Sequence, residues 1–304
     1  MNILVIGGSY FVGKVFVERA QRVADLEICV LNRGNHPLRI EGVEQRVCDR
    51  NDAAQLARLD LAGPWDAVVD FCCYSPPEME RMLAALPAGS CRQYIYLSTA
   101  SVHADSPLLP ITETSPLLQG PQPELGPRAA HYAFNKLGAE RALERICTQR
   151  GMEFTTLRPT IIYGKYNYAP RESYFFDLIR DRKIVYLPES ALPLYSFVWV
   201  EDIAAALLRC LGNPAAFGRS LLLSAPECVG YDMLIEVLRS VTGNRIATRR
   251  LPVGELAARG IPLPFPLDQH LLYSGACASR VLDFEYRSFH EGMAETYAAY
   301  VASR

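Results

Sequence analysis

The chain has 304 residues, half of them apolar, and carries 31 basic against 33 acidic side chains for a net charge of −2. This length predicts one large α/β domain, or one with a smaller appendage, and supplies ample apolar surface for a core. The balanced charge argues against nucleic acid or an anionic membrane surface as partner, and no apolar run approaches membrane-spanning length.

The nine cysteines match no ligand spacing, and several, such as Cys29, Cys48 and Cys210, fall in apolar stretches. The adjacent pair Cys72 and Cys73 has poor geometry for holding one metal ion. We therefore expect reduced core thiols, no metal site and a cytoplasmic protein. The absence of a charged leader before the first apolar segment supports the same compartment.

The first half of the chain alternates short apolar segments with segments of helical periodicity. Strands are predicted over 3–6, 27–31, 67–71 and 94–97, and helices over 11–24, 52–59 and 76–86, with Asp52 and Ser75 as N-caps. This alternation predicts an α/β fold with a doubly wound parallel sheet of the Rossmann type. Its ligand is expected at the carboxyl ends of the strands.

A glycine-rich turn follows the first strand and opens the first helix. It reads Gly7-Gly8-Ser9-Tyr10-Phe11-Val12-Gly13. Small residues at this place let backbone N–H groups and a helix N-terminus approach a pyrophosphate, which predicts a dinucleotide site. The alternative is a turn with a purely structural role.

The end of the second strand carries Asn32 and Arg33, where an acidic residue would bind the ribose diol of NAD. An amide followed by a cation suits a 2′-phosphate better, so this segment favours NADP(H) over NAD(H). Asp49, after the third strand, is placed to meet the adenine edge; the alternative is a helix cap shared with Asp52.

Segment 106–127 interrupts the alternation with six prolines and no periodicity. Two interpretations are open, a surface loop and a lid near the substrate. A helix over 131–150 and a strand over 154–157 follow it.

Tyr132 and Lys136 lie four residues apart on one face of that helix. A tyrosine hydroxyl has an ordinary pKa near 10, and a nearby ammonium would lower it toward the range useful for proton transfer. A hydroxyl cluster of Ser98, Thr99 and Ser101 ends the strand upstream and is able to hydrogen-bond a substrate oxygen beside Tyr132.

Beyond residue 163 the regularity weakens, with helices predicted over 173–182, 202–211 and 231–241 and a proline-rich loop over 261–266. We expect residues 1–162 to form the dinucleotide-binding domain. Residues 163–304 are expected to form mainly a smaller substrate-binding lobe, with some segments returning to the sheet.

These motifs together resemble the extended short-chain dehydrogenases/reductases, the group that contains sugar-nucleotide epimerases, dehydratases and reductases. The resemblance covers nearly the whole chain. It implies that Thr99, Tyr132 and Lys136 are catalytic, and that the cofactor is also bound by Lys136 and by residues after the fourth and sixth strands. Those residues are Phe71, Cys72, Cys73, Pro159 and Thr160.

Two departures from the family pattern narrow the expected chemistry. Tyr10 replaces the middle glycine of the turn, as in an atypical branch similar to the chloroplast stem-loop-binding proteins. Ala100 and Ser101 follow Thr99 where 4,6-dehydratases carry Asp-Glu and the GDP-fucose synthase type carries a cysteine. A carbonyl reductase or dehydrogenase, or a 4-epimerase, is therefore expected.

A third departure concerns the substrate, which we expect to be a sugar-like small molecule, as for a nucleotide-sugar ketoreductase. Relatives often place an arginine that grips the substrate diphosphate where this chain has Tyr195, so that Arg171 or Arg287 would have to substitute. Further substrate candidates are Tyr74, Ser101, His103 and Tyr163. The same resemblance leaves open an RNA-binding role and implies a homodimer as the family's habit.

Overall fold

The computed structural model describes residues 1–127, 129–190 and 192–304. The strands are β1 (Asn2–Ile6), β2 (Glu27–Asn32), β3 (Val43–Val47), β4 (Trp65–Asp70), β5 (Cys91–Leu97), β6 (Glu153–Pro159), β7 (Ile161–Tyr163), β8 (Val185–Pro188), β9 (Tyr195–Trp199), β10 (Arg219–Leu223), β11 (Cys228–Val229) and β12 (Thr248–Leu251). The helices are α1 (Phe11–Ala20), α2 (Ala53–Leu56), α3 (Pro76–Ala85), α4 (Tyr132–Arg150), α5 (Glu172–Arg180), α6 (Val200–Cys210), α7 (Tyr231–Thr242), α8 (Val253–Ala258), α9 (Ala276–Leu282) and α10 (Phe289–Ala302).

Seven parallel strands form the main sheet in the order β10-β6-β5-β4-β1-β2-β3. The direction of strand addition reverses between β1 and β4, so the loops after these two strands diverge and leave a crevice at their carboxyl ends. This is the doubly wound fold expected from the alternation of elements.

The two faces of the sheet bury alternate residues of the central strands. Ile3 and Val5 pack toward α1 and α6, while Leu4 and Ile6 pack toward α3 and α4, and all four are almost fully buried. A parallel strand covered on both faces needs a continuous apolar run, and the run at residues 3–6 meets that requirement.

The rest of the chain adds a three-stranded sheet, β11-β9-β7, and the pair β12-β8. Between them β10 returns to the main sheet and pairs with β6. The second part of the chain therefore supplies an edge strand of the main sheet as well as the two smaller sheets.

Several predicted boundaries differ from the structure. Helix α1 ends at Ala20 rather than at residue 24, and Asp25 follows with a φ of 59°. Asp52 caps α2 by accepting from the N–H groups of Ala54 and Gln55, whereas Ser75 stands at the N-cap of α3 without a side-chain bond. Helices α8, α9 and α10 were not predicted.

The proline-rich segment lies along the β10 side of the molecule. The Ile111 N–H donates to the Leu272 carbonyl at 2.9 Å, and the Glu113 carboxylate accepts from the Leu222 N–H at 3.0 Å. These bonds fix the segment to β10 and to the chain around residue 272, and residues 106–127 are called the proline-rich strap below.

Six of the nine cysteines are buried, and all nine are free thiols. None of the helices in the described part of the chain combines the length and apolarity that a bilayer span requires.

Candidate functional site

The glycine-rich turn brings the start of α1 close to the end of β1. A Cβ on Gly13 would lie 2.8 Å from the Gly8 nitrogen, so only glycine permits this approach. Tyr10 stands at the N-cap and provides no side-chain acceptor, and the first turn holds no acidic residue. The first N–H groups of α1 are thus left for an anionic ligand.

Tyr10, the departure from the family's glycine, extends outward from this turn and is 49% exposed. Its ring stacks on His36 at 4.8 Å and on Tyr168 at 5.3 Å between centroids. The substitution therefore links the turn to the loop that follows β2 and to the loop that precedes α5.

Asn32 and Arg33 follow β2 at the neighbouring position of the same edge. The Asn32 Oδ1 accepts from the Gly34 N–H at 2.8 Å and from Gln45 Nε2 at 2.9 Å, which orients the amide. Its Nδ2 is buried and has no partner within the described residues. A buried donor of this kind calls for an acceptor from a ligand. Arg33 is exposed beside it.

An ion pair beneath the end of β4 was missed by sequence reasoning. Arg50 donates to both carboxylate oxygens of Asp70, at 2.6 and 2.8 Å, and the Tyr94 hydroxyl donates to Asp70 at 2.6 Å. Burial is the largest influence and lowers the pKa of Arg50, but Asp70, together with Tyr94, Cys72 and Cys73, raises it well above its usual range. Asp70 also accepts from the Cys72 N–H at 3.0 Å, so the pair shapes the turn that faces the cleft.

The predicted catalytic residues come from β5 and α4. Thr99 follows β5, and its hydroxyl accepts from the Ser101 N–H at 3.3 Å. Tyr132 begins α4, and Lys136 lies one turn further along the helix. The Lys136 Nζ donates to the carbonyls of Leu97 at 2.7 Å and Cys73 at 2.9 Å, which ties α4 to the ends of β4 and β5.

The charges near Tyr132 differ from the expectation. Burial, followed by Tyr168, raises the pKa of Tyr132, while the Thr99 hydroxyl and the Arg171 charge act in the opposite direction. Lys136 is not among the groups that shift the pKa of Tyr132 in the chain alone, and its lowering of that pKa beside a bound nicotinamide stays a prediction. Burial lowers the pKa of Lys136 itself to about 8. A tyrosine with a raised pKa holds its proton at neutral pH, as a general acid must.

One cleft of about 830 Å³ joins these parts. All the residues predicted to bind cofactor line it except Cys73, and so do Thr99, Tyr132, Tyr74, Ser101 and Arg171. Pro159 and Thr160 line it at the end of β6. No group of three or more His, Cys, Asp or Glu side chains in the described ranges is arranged to hold a metal ion.

Four predicted site residues lie elsewhere. The Cys73 side chain is fully buried in the core, although its carbonyl accepts from Lys136. Tyr163 and Tyr195 are at most 2% exposed and pack in the aromatic core around β9. His103 is also buried and lines no part of the cleft.

Arg287, weighed as a substitute for the missing arginine, is outside the cleft as well. Its guanidinium lies over the Trp199 ring at 6.0 Å, and its backbone N–H donates to the Asp202 carboxylate.

His103 belongs instead to a buried polar network. Arg158 donates to Glu140 at 2.6 Å and contacts the His103 Nε2 at 3.2 Å, and the His103 Nδ1 lies 3.3 Å from the Ser115 carbonyl. Burial and the Arg158 charge lower the pKa of His103 to about 4. A neutral His103 accepts from Arg158 and donates to Ser115, and so links β6, α4 and the proline-rich strap.

Comparison with known proteins shows what this part of the chain is similar to. Residues 78–221, which include Thr99, Tyr132 and Lys136, match the model of the NAD dependent epimerase/dehydratase family. The chain is 27% identical over 319 aligned positions to the chloroplast stem-loop binding protein of 41 kDa b from Arabidopsis thaliana, covering 97% of this chain and 78% of that protein.

One further relative matches part of the sequence, and one solved structure matches the fold. Agroclavine dehydrogenase from Claviceps fusiformis is 32% identical over 129 residues, 42% of this chain and 43% of that protein. The structure of UDP-glucose 4-epimerase with UDP-glucose from Thermotoga maritima superimposes with a TM-score of 0.79 at 16% identity. It covers 100% of this chain and 99% of that one.

The family match over the region of Thr99, Tyr132 and Lys136, the relative that spans nearly the whole chain and the shared fold agree with the geometry of the cleft. The chain is thus similar to the NAD dependent epimerase/dehydratase family over residues 78–221, and it shares the fold of a solved epimerase over its whole length.

Proposed function

We propose that this protein is an NAD(P)-dependent oxidoreductase that transfers a hydride to or from a carbonyl or carbinol carbon of a sugar-like substrate. The observation that carries the proposal is a single cleft lined both by the glycine-rich turn and by Thr99, Tyr132 and Lys136. A nucleotide site and a proton donor in one cleft are the two requirements of this chemistry.

The residues present fit a dinucleotide. The uncapped start of α1 and the close approach at Gly13 suit a pyrophosphate. The buried Nδ2 of Asn32 needs an acceptor, which a ribose hydroxyl or a 2′-phosphate supplies. Asp49, half-buried in the same cleft, is proposed to meet the adenine.

We further propose that NADP(H) is preferred over NAD(H). Arg33 is exposed in the cleft directly after Asn32, and the end of β2 carries no acidic side chain. A guanidinium attracts a 2′-phosphate, whereas an aspartate at this place would repel it.

A nicotinamide, when bound, supplies or accepts the hydride. In the direction of reduction, Tyr132 donates its hydroxyl proton to the carbonyl oxygen, and Thr99 donates a hydrogen bond to the same oxygen. Lys136, held between two carbonyls, is proposed to position the nicotinamide ribose and to keep α4 in register with β5.

The substrate is proposed to be chosen by residues 163–304. Following the pattern of the similar family, we propose a nucleotide-sugar ketoreductase. The alternative enzyme is a nucleotide-sugar 4-epimerase. An epimerase would keep its cofactor bound and show no net consumption, which separates the two.

The similarity to a protein named for stem-loop binding favours a second candidate function, RNA binding. RNA binding through this fold would show affinity that falls steeply with salt and would not require Tyr132. We rank it below the enzyme because the Tyr132 and Lys136 pair is retained.

We also propose a cytoplasmic location, since nine free thiols suit a reducing compartment. A homodimer is proposed as the family's habit, and size-exclusion chromatography with light scattering tests it.

The proposal is tested by scanning the purified protein for bound nicotinamide and by following NADPH and NADH oxidation with a panel of keto sugars. Tyr132→Phe removes the proton donor and keeps the ring, so turnover should fall by about 10²- to 10⁴-fold while NADPH affinity stays near that of the wild type. Wild-type rates in Tyr132→Phe would remove this residue from the mechanism. A salt-dependent RNA complex without cofactor binding would favour the RNA-binding role.

A further inference from the structure

The substrate end of the cleft receives little from the second part of the chain. Beyond Tyr132, the lining comes from the segment 159–162, from the loop 167–171 and from Leu271 and Tyr273. No described residue between Glu172 and His270 lines the cleft. The elements β8, α7 and α8 therefore contribute no residue to the lining of the cleft.

The interior behind this end is filled by aromatic side chains. Tyr195 packs on Tyr231 and Phe265 with ring centroids 5.9 and 5.3 Å apart, and Phe197 meets Phe265 at 5.2 Å. The Tyr231 hydroxyl donates to the Phe265 carbonyl at 3.1 Å, and the Tyr195 hydroxyl donates to the Pro266 carbonyl. These hydroxyls are satisfied within the protein, so the cluster is a closed core that leaves no room for a base.

The size of the cleft agrees with this. Sites for a single small-molecule ligand or cofactor span roughly 300–1,000 Å³, and the whole cleft measures about 830 Å³. A dinucleotide stretched from Arg33 to Tyr132 would take up most of that space. What remains suits a compact molecule and does not suit a second nucleotide.

Arg171 is the charged group at this end. Its Nη1 donates to the Ile162 carbonyl at 3.1 Å, which holds the guanidinium at the cleft wall. The adjacent Glu172 carboxylate accepts hydrogen bonds from the Gly164 N–H and the Asn167 amide. No carboxylate in the described ranges forms an ion pair with Arg171.

The other cationic side chains that line the cleft either have partners within the protein or lie in a different loop. Arg50 is paired with Asp70, Lys136 is buried between two carbonyls, and Arg33 and His36 lie in the loop after β2. Arg171 is close enough to Tyr132 for its charge to act on the hydroxyl. An anionic group bound there would sit beside the reacting oxygen.

We infer, on the basis of the proposed function, that the substrate is a compact keto or hydroxy compound without a nucleotide, and that Arg171 binds its own anionic group, a carboxylate or a phosphate monoester. Reduction then adds a hydride to the carbonyl carbon and the Tyr132 proton to its oxygen, the C=O double bond becomes a C–O single bond, and NAD(P)H is oxidised. The anionic group stays paired with Arg171 and is unchanged by the reaction.

The test uses three matched sets of carbonyl compounds with the full-length protein and NADPH. They are keto acids and hexuronic acids, keto-sugar phosphates, and UDP-linked keto sugars, with neutral keto sugars as reference. Binding of the same compounds to the protein with NADP⁺ is measured by calorimetry, so that affinity is read independently of turnover. The first two sets distinguish a carboxylate from a phosphate as the anion.

A compound from one of the first two sets is expected to give the highest kcat/KM. Arg171→Gln should weaken its binding by about 10- to 100-fold, as expected for losing a hydrogen bond to a charged group. Arg171→Lys should recover part of the loss. NADP⁺ affinity should not change, and the exposed Arg22→Gln serves as the matched control.

Preference for UDP-linked compounds, or unchanged binding of the best compact substrate in Arg171→Gln, would overturn this inference while leaving the proposed function in place. Bound NADPH without turnover of any set would remove the proposed function and the inference together.

Discussion

The contact between Gly13 and Gly8 offers a sharp test of the dinucleotide site. A Cβ added at Gly13 would lie 2.8 Å from the Gly8 nitrogen, 2.9 Å from the Gly8 Cα and 3.3 Å from the Phe71 ring. The two shortest contacts are to backbone, which cannot rotate away as a side chain can. Gly13→Ala therefore has to push the start of α1 away from the turn after β1.

The cost of such overpacking is about 1–3 kcal/mol. If the displacement moves the first N–H groups of α1 away from the pyrophosphate, a loss of this size lowers NADPH affinity by roughly 5- to 150-fold. Alanine also has a higher helix propensity than glycine, by up to about 1 kcal/mol, which partly offsets the loss of stability.

Gly254→Ala is the matched control, because Gly254 also lies in a helix and a Cβ there meets nothing within 4 Å. Affinity is measured by NADPH fluorescence titration and stability by urea unfolding without cofactor. Wild-type affinity in Gly13→Ala, with stability no lower than that of Gly254→Ala, would refute the assignment of this turn as the pyrophosphate site.

Two further outcomes are expected. Arg33→Ala should weaken NADPH binding by about tenfold or more and leave NADH binding unchanged, since only NADPH carries the 2′-phosphate. Arg92→Ala, at an exposed position, is the control. Equal losses of affinity for both cofactors would contradict the NADP(H) preference. Folding lowers the pKa of His103 from 6.5 to about 4, so between these pH values the unfolded chain binds a proton that the folded chain does not. The free energy of unfolding should therefore fall as the pH is lowered through this window, by about 2 kcal/mol at pH 5. His103→Gln should flatten that dependence relative to wild type and to the exposed His131→Gln, and parallel curves for all three proteins would show that His103 is not the group responsible.

Much of the cleft was predictable because its signals are local. The order strand, glycine-rich turn and helix is readable over residues 3–20, and the spacing of Tyr132 and Lys136 is that of one helix face. The strands at the centre of the sheet are continuous apolar runs, so their positions were found to within one or a few residues. The edge strand β3 has a mixed sequence in which no residue is fully buried, and no bounds were predicted for it.

The errors fall where distant segments meet. His103, Tyr163 and Tyr195 were assigned to the substrate because they align with motif positions, yet each is packed into the interior. The Arg50 and Asp70 pair joins residues 20 positions apart, and Arg158 meets His103 across 55 positions. Neither pairing leaves a pattern in the sequence.

The sequence by itself determined the fold class, the place of the glycine-rich turn and the set of Thr99, Tyr132 and Lys136, because periodicity and motif spacing depend on residues close together in the chain. Only the tertiary structure decided which side chains face the cleft and which fill the core behind it. A strand residue turns toward a cavity or toward packed neighbours according to what lies across from it. Here the neighbours of Tyr195 are aromatic rings from α7 and the segment 261–266, brought beside β9 only by folding.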